Sequence, residues 1–351
     1  MTASGDMQAM QQDVLSHSRP VTIVATASSR EASHIDALDA LRGLAILLVV
    51  VGHYAPERLA YGLAADILRP WAQGGVILFF LLSGFLIENN LFRHRDPVAY
   101  GLRRIFRIAP AYWVSILCFL AIDRLALGDN SYSLSEVIVN AALLQDVFKV
   151  VLINAAFWTL LIEAKFYVVA PVIVRAGDTA IRVLPYLTMA LNAVIFARRG
   201  EASNLLLYIT VCFVGMNFGL WHRGGLSAWA LAALCSCAAL SMAFIAPYFT
   251  IGMTVFTGVN SALLAYALMY GLRLPGFAFL GAISYSWYLY HGGLGYPMMA
   301  AMEATGVAGW AAAGITAMVT MMTAWLSYRL IERPGIALGR GLERRWREKL
   351  A

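Results

Sequence analysis

About ten stretches of mostly apolar residues follow one another along the chain, each near the ~20 residues that a helix needs to cross a bilayer core. Their approximate limits are 38–55, 74–92, 105–127, 154–175, 180–197, 203–222, 226–246, 250–271, 277–299 and 306–330. Hydrophobic residues make up 60% of the 351 and charged residues only 13%, against about 25% charged in a soluble domain. The fold class that follows is all-α: a polytopic membrane helical bundle of about ten transmembrane helices. Length alone would allow two soluble domains. A single bundle in lipid overrides that prior, and no internal repeat is visible.

The cations are distributed unevenly between the loops. With the N-terminus inside, Arg93, Arg95, Arg103, Arg104 and Arg107 fall on the inner side, and so do Arg175, Arg182, Arg223, Arg273 and the basic C-terminal stretch. The bias predicts cytoplasmic termini and an even number of spans. Residues 1–36 lack a basic region leading into an apolar core, so no signal peptide is expected. They read as a poorly ordered cytoplasmic tail, residues 37–335 as the membrane domain, and 336–351 as a basic cytoplasmic tail. Residues 131–149 form a weaker helical segment placed at the interface or folded against the bundle. The net charge of +6 sits at span ends, which points to the lipid bilayer as a partner and not to nucleic acid. Cys118, Cys212, Cys235 and Cys237 lie in apolar runs and read as packing residues. No set of His, Cys, Asp and Glu has metal-ligand spacing, so no metal is expected.

A few polar residues break the apolar runs. Arg42 and His53 are eleven residues apart, which on a helix is about 20° past three turns and roughly 16 Å along the axis. They share one face. A charge at the centre of a span costs about 2.5–3.5 kcal/mol, so such a stripe is a functional candidate. Taken singly, Arg42 could snorkel to the headgroups and His53 could be a hydrogen-bonded core residue. Glu163 is mid-span and needs a partner. Lys165 is about 200° away around the helix, and His53 is a candidate. His291 stands among Ser284, Tyr285, Ser286, Tyr288 and Tyr290, either as interhelical glue or in a substrate site. Arg103, Arg104 and Arg107 are neighbours at the mouth of the third span, as an anchor or as a phosphate clamp. Pro110 should kink that helix. Ser83 and Gly84 permit close helix approach, and the Ser83 hydroxyl is also placed to bond a ligand.

Together these strings resemble the membrane-bound acyltransferase-3 family. LDALRGLAILLVVVGHY (Leu38 to Tyr54) is similar to its first-helix signature, FFLLSGF (Phe79 to Phe85) to its second, and RRIFRIAPAYW (Arg103 to Trp113) to its arginine-rich third-helix entry. FWTLLIEAKFY (Phe157 to Tyr167) resembles its Trp-Ser-Leu-x-x-Glu-Glu-x-Phe-Tyr element, with Thr159 for Ser and Ala164 for the second Glu. ISYSWYLYH (Ile283 to His291) and IERP (Ile331 to Pro334) resemble its closing elements. The resemblance runs from about residue 36 to 335. The short stretch after Pro334 fits members that stand alone, without an SGNH-type domain.

The resemblance implies an integral-membrane O-acyltransferase. Its donor would be acyl-CoA, with acetyl expected, as a substrate and not a resident cofactor. Its acceptor would be a hydroxyl of a glycan or glycan-like molecule. His53 is the expected general base, with its own acylation before transfer as the rival route; Glu163 is its expected orienting carboxylate and Arg42 a further catalytic group. Arg103, Arg104 and Arg107 would hold the CoA phosphates, with Ser83, Trp158, Tyr167, Tyr288 and His291 as binding or supporting residues. The expected location is the bacterial inner membrane, with a separate envelope-biosynthesis partner allowed. A polytopic transporter using the same His, Glu and Arg residues is the alternative, although the paired broken helices common in transporters are not seen. A non-catalytic scaffold is a third reading.

Overall fold

The computed structural model describes residues 21–55, 67–93, 96–127, 132–245 and 250–350. Every regular element in these segments is helical. They run as α1 (Val21–Tyr54), α2 (Pro70–Arg93), α3 (Pro97–Leu127), the short α4 (Leu134–Ala141) and α5 (Gln145–Phe148), and a 3-10 turn (Ala155–Phe157). There follow α6 (Trp158–Ala176), α7 (Asp178–Arg199), α8 (Asn204–His222), α9 (Ala228–Ile245), α10 (Thr250–Tyr270), α11 (Phe277–Gly293) and α12 (Gly295–Ala304). Last come α13 (Gly309–Ser327), a π turn (Tyr328–Glu332) and α14 (Arg333–Leu350).

Among the described residues, eight helices are long and apolar enough to cross a membrane. Each of the ten expected segments contains a helix, but α9 and α11 fall short of that standard. At 17 residues, α11 extends only about 26 Å at 1.5 Å per residue. It is instead buried within the bundle, packed against α1 and α13. The weak segment at 131–149 forms α4 and α5, as two short helices. Ser133 and Glu136 close a reciprocal capping box at the start of α4, which satisfies backbone donors where the helix begins.

Residues 1–20 lie outside the described residues, and α1 begins at Val21. Between Pro20 and Gly43 no proline or glycine interrupts the sequence, so nothing local stops the helix before the span. At the other end, α14 packs along α3.

Helices α1, α2, α8 and α11 form the centre. α2 and α8 are buried over 67% and 72% of their apolar lengths, against 17% for the peripheral α7. Glycines set how close these helices come. A Cβ on Gly84 would lie 2.0 Å from the Cys212 carbonyl oxygen, and one on Gly215 2.2 Å from that of Leu81. The α2 and α8 backbones therefore touch at this level, as the small residues in the second-span motif predict. Between helices in lipid, such contact supplies dispersion energy that lipid-facing Leu packing does not replace.

Candidate functional site

Two cavities lie between α1, α2, α6 and α11, one on each side of Tyr288. The inner cavity, of about 70 Å³, is lined by Arg42, Phe79, Ser83, Arg107, Thr159, Glu163, Tyr167, Tyr285 and Tyr288. The outer chamber, of about 410 Å³, is lined by His53, Gln73, Asn154, Trp158, Tyr288, His291 and Tyr296. Val76 and Tyr288 line both.

The helix directions place these groups. Arg42 and His53 stand on α1 with the inner cavity at one and the outer chamber at the other. His53 is the penultimate residue of α1, so it sits at a span end. The α6 helix starts at the chamber with Trp158 and carries Thr159, Glu163 and Tyr167 inward on one face, at spacings of four residues. The α11 helix presents Tyr288 and His291 near its C-terminal end.

The His53 ring lies 5.1 Å from that of His291, tilted by 37°, and edge-on to Tyr296 at 6.1 Å. His53 Nδ1 is buried without a hydrogen-bond partner; the Val49 carbonyl one turn earlier lies beside the ring without completing a bond. His291 is better fixed. Its Nδ1 lies 2.6 Å from the Tyr288 carbonyl oxygen, which can only accept, so this nitrogen donates. In the neutral ring Nε2 then keeps its lone pair. The Tyr54 hydroxyl donates to the His291 carbonyl at 2.6 Å, tying the ends of α1 and α11 together.

Glu163 does not orient His53. Its Oε1 accepts from the Ser83 hydroxyl at 3.0 Å and from the Tyr167 hydroxyl, and no hydrogen bond joins it to His53. The expected pairing fails because the Glu163 side chain leaves α6 toward the inner cavity, while His53 faces the outer chamber with His291 beside it. Lys165 turns the other way and pairs with Asp146 on α5, in keeping with its position around the helix.

The arginine trio also separates. Arg107 lines the inner cavity with Arg42. Arg104 stacks over the Tyr100 and Tyr167 rings at 5.5 and 5.1 Å. Arg103 points away, bonding Glu343 of α14 and, at 2.9 Å, Asn90 at the end of α2. Around the helix Arg107 stands between Arg103 and Arg104, about 40° from one and 60° from the other, so the trio shares a face and is divided by the partners that each side chain meets.

Several site residues were not singled out from sequence. Gln73 and Tyr296 line the chamber, and the Gln73 Oε1 is buried without a partner. Glu332, 2% exposed, accepts from the Ser286 hydroxyl at 2.8 Å and feels the charges of Arg107 and Arg42. A glutamate directly before Arg-Pro reads as surface charge in sequence. Its burial follows from the π turn that ends on it, a feature frequent at functional sites.

A family model described as an acyltransferase domain, that of the acyltransferase-3 family, matches residues 35–329. A protein of the Acidianus two-tailed virus, named "Putative acetyltransferase", is 32% identical over 139 residues, 39% of this chain and 40% of its own. A Staphylococcus aureus (strain COL) protein, named "Putative O-acetyltransferase", is 25% identical over 158 residues, 40% of this chain and 24% of its own. The matched part thus spans well under half of either relative. No solved structure matches. With most of its length under the family model and eight apolar helices of spanning length, the chain is a multi-pass membrane protein that belongs to the acyltransferase-3 family.

Proposed function

We propose that the protein is an O-acetyltransferase that moves an acetyl group from acetyl-CoA to a hydroxyl of a glycan or glycan-like acceptor. The observation that carries this reading is the pair of unlike cavities meeting at Tyr288. The inner one, with Arg42 and Arg107, suits an anionic thioester donor arriving from the cytoplasm, the side on which both termini would lie. The outer one combines the aromatic faces of Trp158 and Tyr296 with the Gln73 amide, a chemistry suited to stacking and bonding a sugar ring. The family membership and the names of the two relatives point to the same reaction class.

In this mechanism His53 takes the acceptor hydroxyl proton as the oxygen attacks the thioester carbonyl carbon. A positioned base of this kind contributes about 10²–10⁴-fold. The C–O bond forms, the carbonyl becomes an oxyanion, and the C–S bond then breaks. The imidazolium returns the proton to the leaving CoA thiolate. His291, fixed by Tyr54 and by its own Nδ1 bond, positions His53 from the side. Arg42 and Arg107 supply positive potential toward the oxyanion. Glu163, held by Ser83 and Tyr167, shapes the donor cavity. The setting is a cell membrane, the bacterial inner membrane, beside enzymes that build the envelope.

The test is mass spectrometry of surface glycans from cells with and without the protein, complemented by wild type or His53→Ala. Acetyl esters should vanish without the protein and return only with wild type. Full restoration by His53→Ala would rule out His53 as the base.

A further inference from the structure

We infer that the Tyr288 hydroxyl is a catalytic group, the hydrogen-bond donor that holds the oxyanion formed on the acetyl carbonyl during transfer. This rests on the acetyl transfer proposed above. In that reaction the acceptor oxygen comes from the outer chamber and the thioester carbon from the inner cavity, so the carbon under attack has to stand where the two spaces adjoin. Val76 and Tyr288 line both, and of these two only Tyr288 carries a polar side chain. Its hydroxyl stands at the boundary itself. It accepts from Thr159 Oγ1, on the lining of the inner cavity, at 2.7 Å. It donates to the carbonyl oxygen of Ala156, on the lining of the outer chamber, at 3.2 Å. Arg42 and Arg107 line the inner cavity and approach the oxyanion from that side.

The bonding pattern leaves the phenol proton available. The bond from Thr159 polarises the phenol O–H and strengthens it as a donor. The bond to Ala156, at 3.2 Å, is longer than the usual O–H···O distance of about 2.7–2.8 Å. Turning the proton to the oxyanion rotates one C–O bond and leaves the ring in place. Thr159 Oγ1 also lies 3.2 Å from the Ala156 carbonyl oxygen, so that carbonyl keeps a donor within reach. The ring itself is held, edge-on to Phe79 at 6.1 Å and with the His291 ring 5.1 Å away on the chamber side. A donor fixed beforehand costs no reorganisation as charge develops. With the carbonyl oxygen turned to the phenol, attack comes from the chamber, where His53 takes the acceptor proton. The C–S bond then breaks toward the inner cavity. Tyr288 keeps its own proton throughout and forms no covalent bond to the acetyl group.

The experiment follows transfer of label from acetyl-CoA to the endogenous acceptor, in membranes of cells that carry the acceptor and the full-length protein as wild type or Tyr288→Phe. The variant keeps the ring and loses only the hydroxyl. At saturating acetyl-CoA its rate should fall about 10²–10³-fold, the worth of one oxyanion donor. Its KM for acetyl-CoA should stay within about threefold of wild type, because the bond forms only as the carbonyl is attacked. A rate within about threefold of wild type, or a loss carried by KM alone, would overturn the assignment. A second measurement separates donation from packing, and it decides if Tyr288→Phe does not fold. With 3,5-difluorotyrosine in place of Tyr288 the phenol is more acidic, and an ionised phenol has no proton to donate. The loss of rate at high pH should then begin at lower pH than in wild type, and an unchanged pH profile would overturn the assignment. A wild type that transfers no label from acetyl-CoA would instead sink the acetyltransferase reading, and the role of Tyr288 with it.

Discussion

The rings of His53 and His291 face each other 5.1 Å apart at the ends of two helices, and the residue next to His53 holds the pair in place. Tyr54 spans from α1 to the His291 carbonyl, and Gly295 leaves room for its phenol. A Cβ at Gly295 would lie 2.1 Å from the Tyr54 hydroxyl oxygen. His53 is therefore fixed indirectly, through a neighbour in sequence and a partner in space.

Tyr54→Phe keeps the ring and removes that bond, leaving a buried carbonyl unpaired. A cost of about 1–3 kcal/mol is expected, together with slower acetyl transfer as His291 shifts relative to His53. Thermal unfolding in detergent and transfer of label from acetyl-CoA in membranes measure the two effects. A variant matching wild type in both would mean that the bond does not position the histidines.

Arg103 and Arg107 should behave differently, although they are four residues apart. Arg103→Ala breaks the link to Glu343 and Asn90 and should lower stability by about 1–3 kcal/mol with little change in KM for acetyl-CoA. Arg107→Ala removes a cation from the inner cavity and should raise that KM about tenfold, which is ~1.4 kcal/mol. Kinetics on membranes beside melting curves separates them. A larger KM effect from Arg103 would return it to the donor site.

Gly84→Ala tests the contact between α2 and α8. Its methyl would meet the Cys212 backbone carbonyl, and backbone cannot rotate aside as a side chain can. Overpacking of this kind costs about 1–3 kcal/mol. Because Ser83 is the preceding residue and bonds Glu163, transfer activity should fall as well. An unchanged melting temperature would show that the helices part freely.

Asp96 couples the start of α3 to pH. Slight burial opposes its charge, but bonds from the Ala99 and Val98 N–H groups and the Trp346 indole outweigh this and hold the carboxyl below its ordinary range. A depressed folded-state pKa stabilises the protein above the ordinary carboxylate range, near pH 4, and the benefit is lost as pH falls through the folded value. Asp96→Asn keeps an amide oxygen for the cap bonds but loses the charge, so it should melt lower than wild type at neutral pH by about 0.3–1 kcal/mol, the worth of a charge at a helix N-terminus, and the gap should close on acidification. A gap that stays constant with pH would assign the loss to packing.

The fold was largely legible because lipid imposes a simple rule: a span needs a long apolar run, and such runs are visible in any order. The end of α11 was not. Residues 277–299 read as one apolar segment, but the helix ends at Gly293 and another starts at Gly295, where Tyr54 from a distant part of the chain needs room. The site was legible as a set of residue types but not as a set of pairs. Arg42, Ser83, Arg107, Glu163, Tyr167 and Tyr288 do share one cavity, and His53, Trp158, Tyr288 and His291 the other. Which carboxylate meets which donor depends on how helices distant in sequence rotate against each other. For that reason Ser83 and Tyr167, and not His53, bond Glu163.

The π turn at Tyr328–Glu332 has a consequence for the whole C-terminal stretch. One extra residue in a helical ladder slips its phase by about 100°. A wheel drawn continuously through α13 and α14 therefore assigns wrong faces to everything beyond Ser327. With the slip, Glu332 turns inward to Ser286, Gly335 and Gly339 fall against Phe106 and Pro110 of α3, and Glu343 arrives at Arg103. The insertion works as a gear tooth: it lets one unbroken rod engage the bundle core along its first half and the arginine helix along its second. A single-residue deletion there would turn α14 out of mesh without changing one of its side chains.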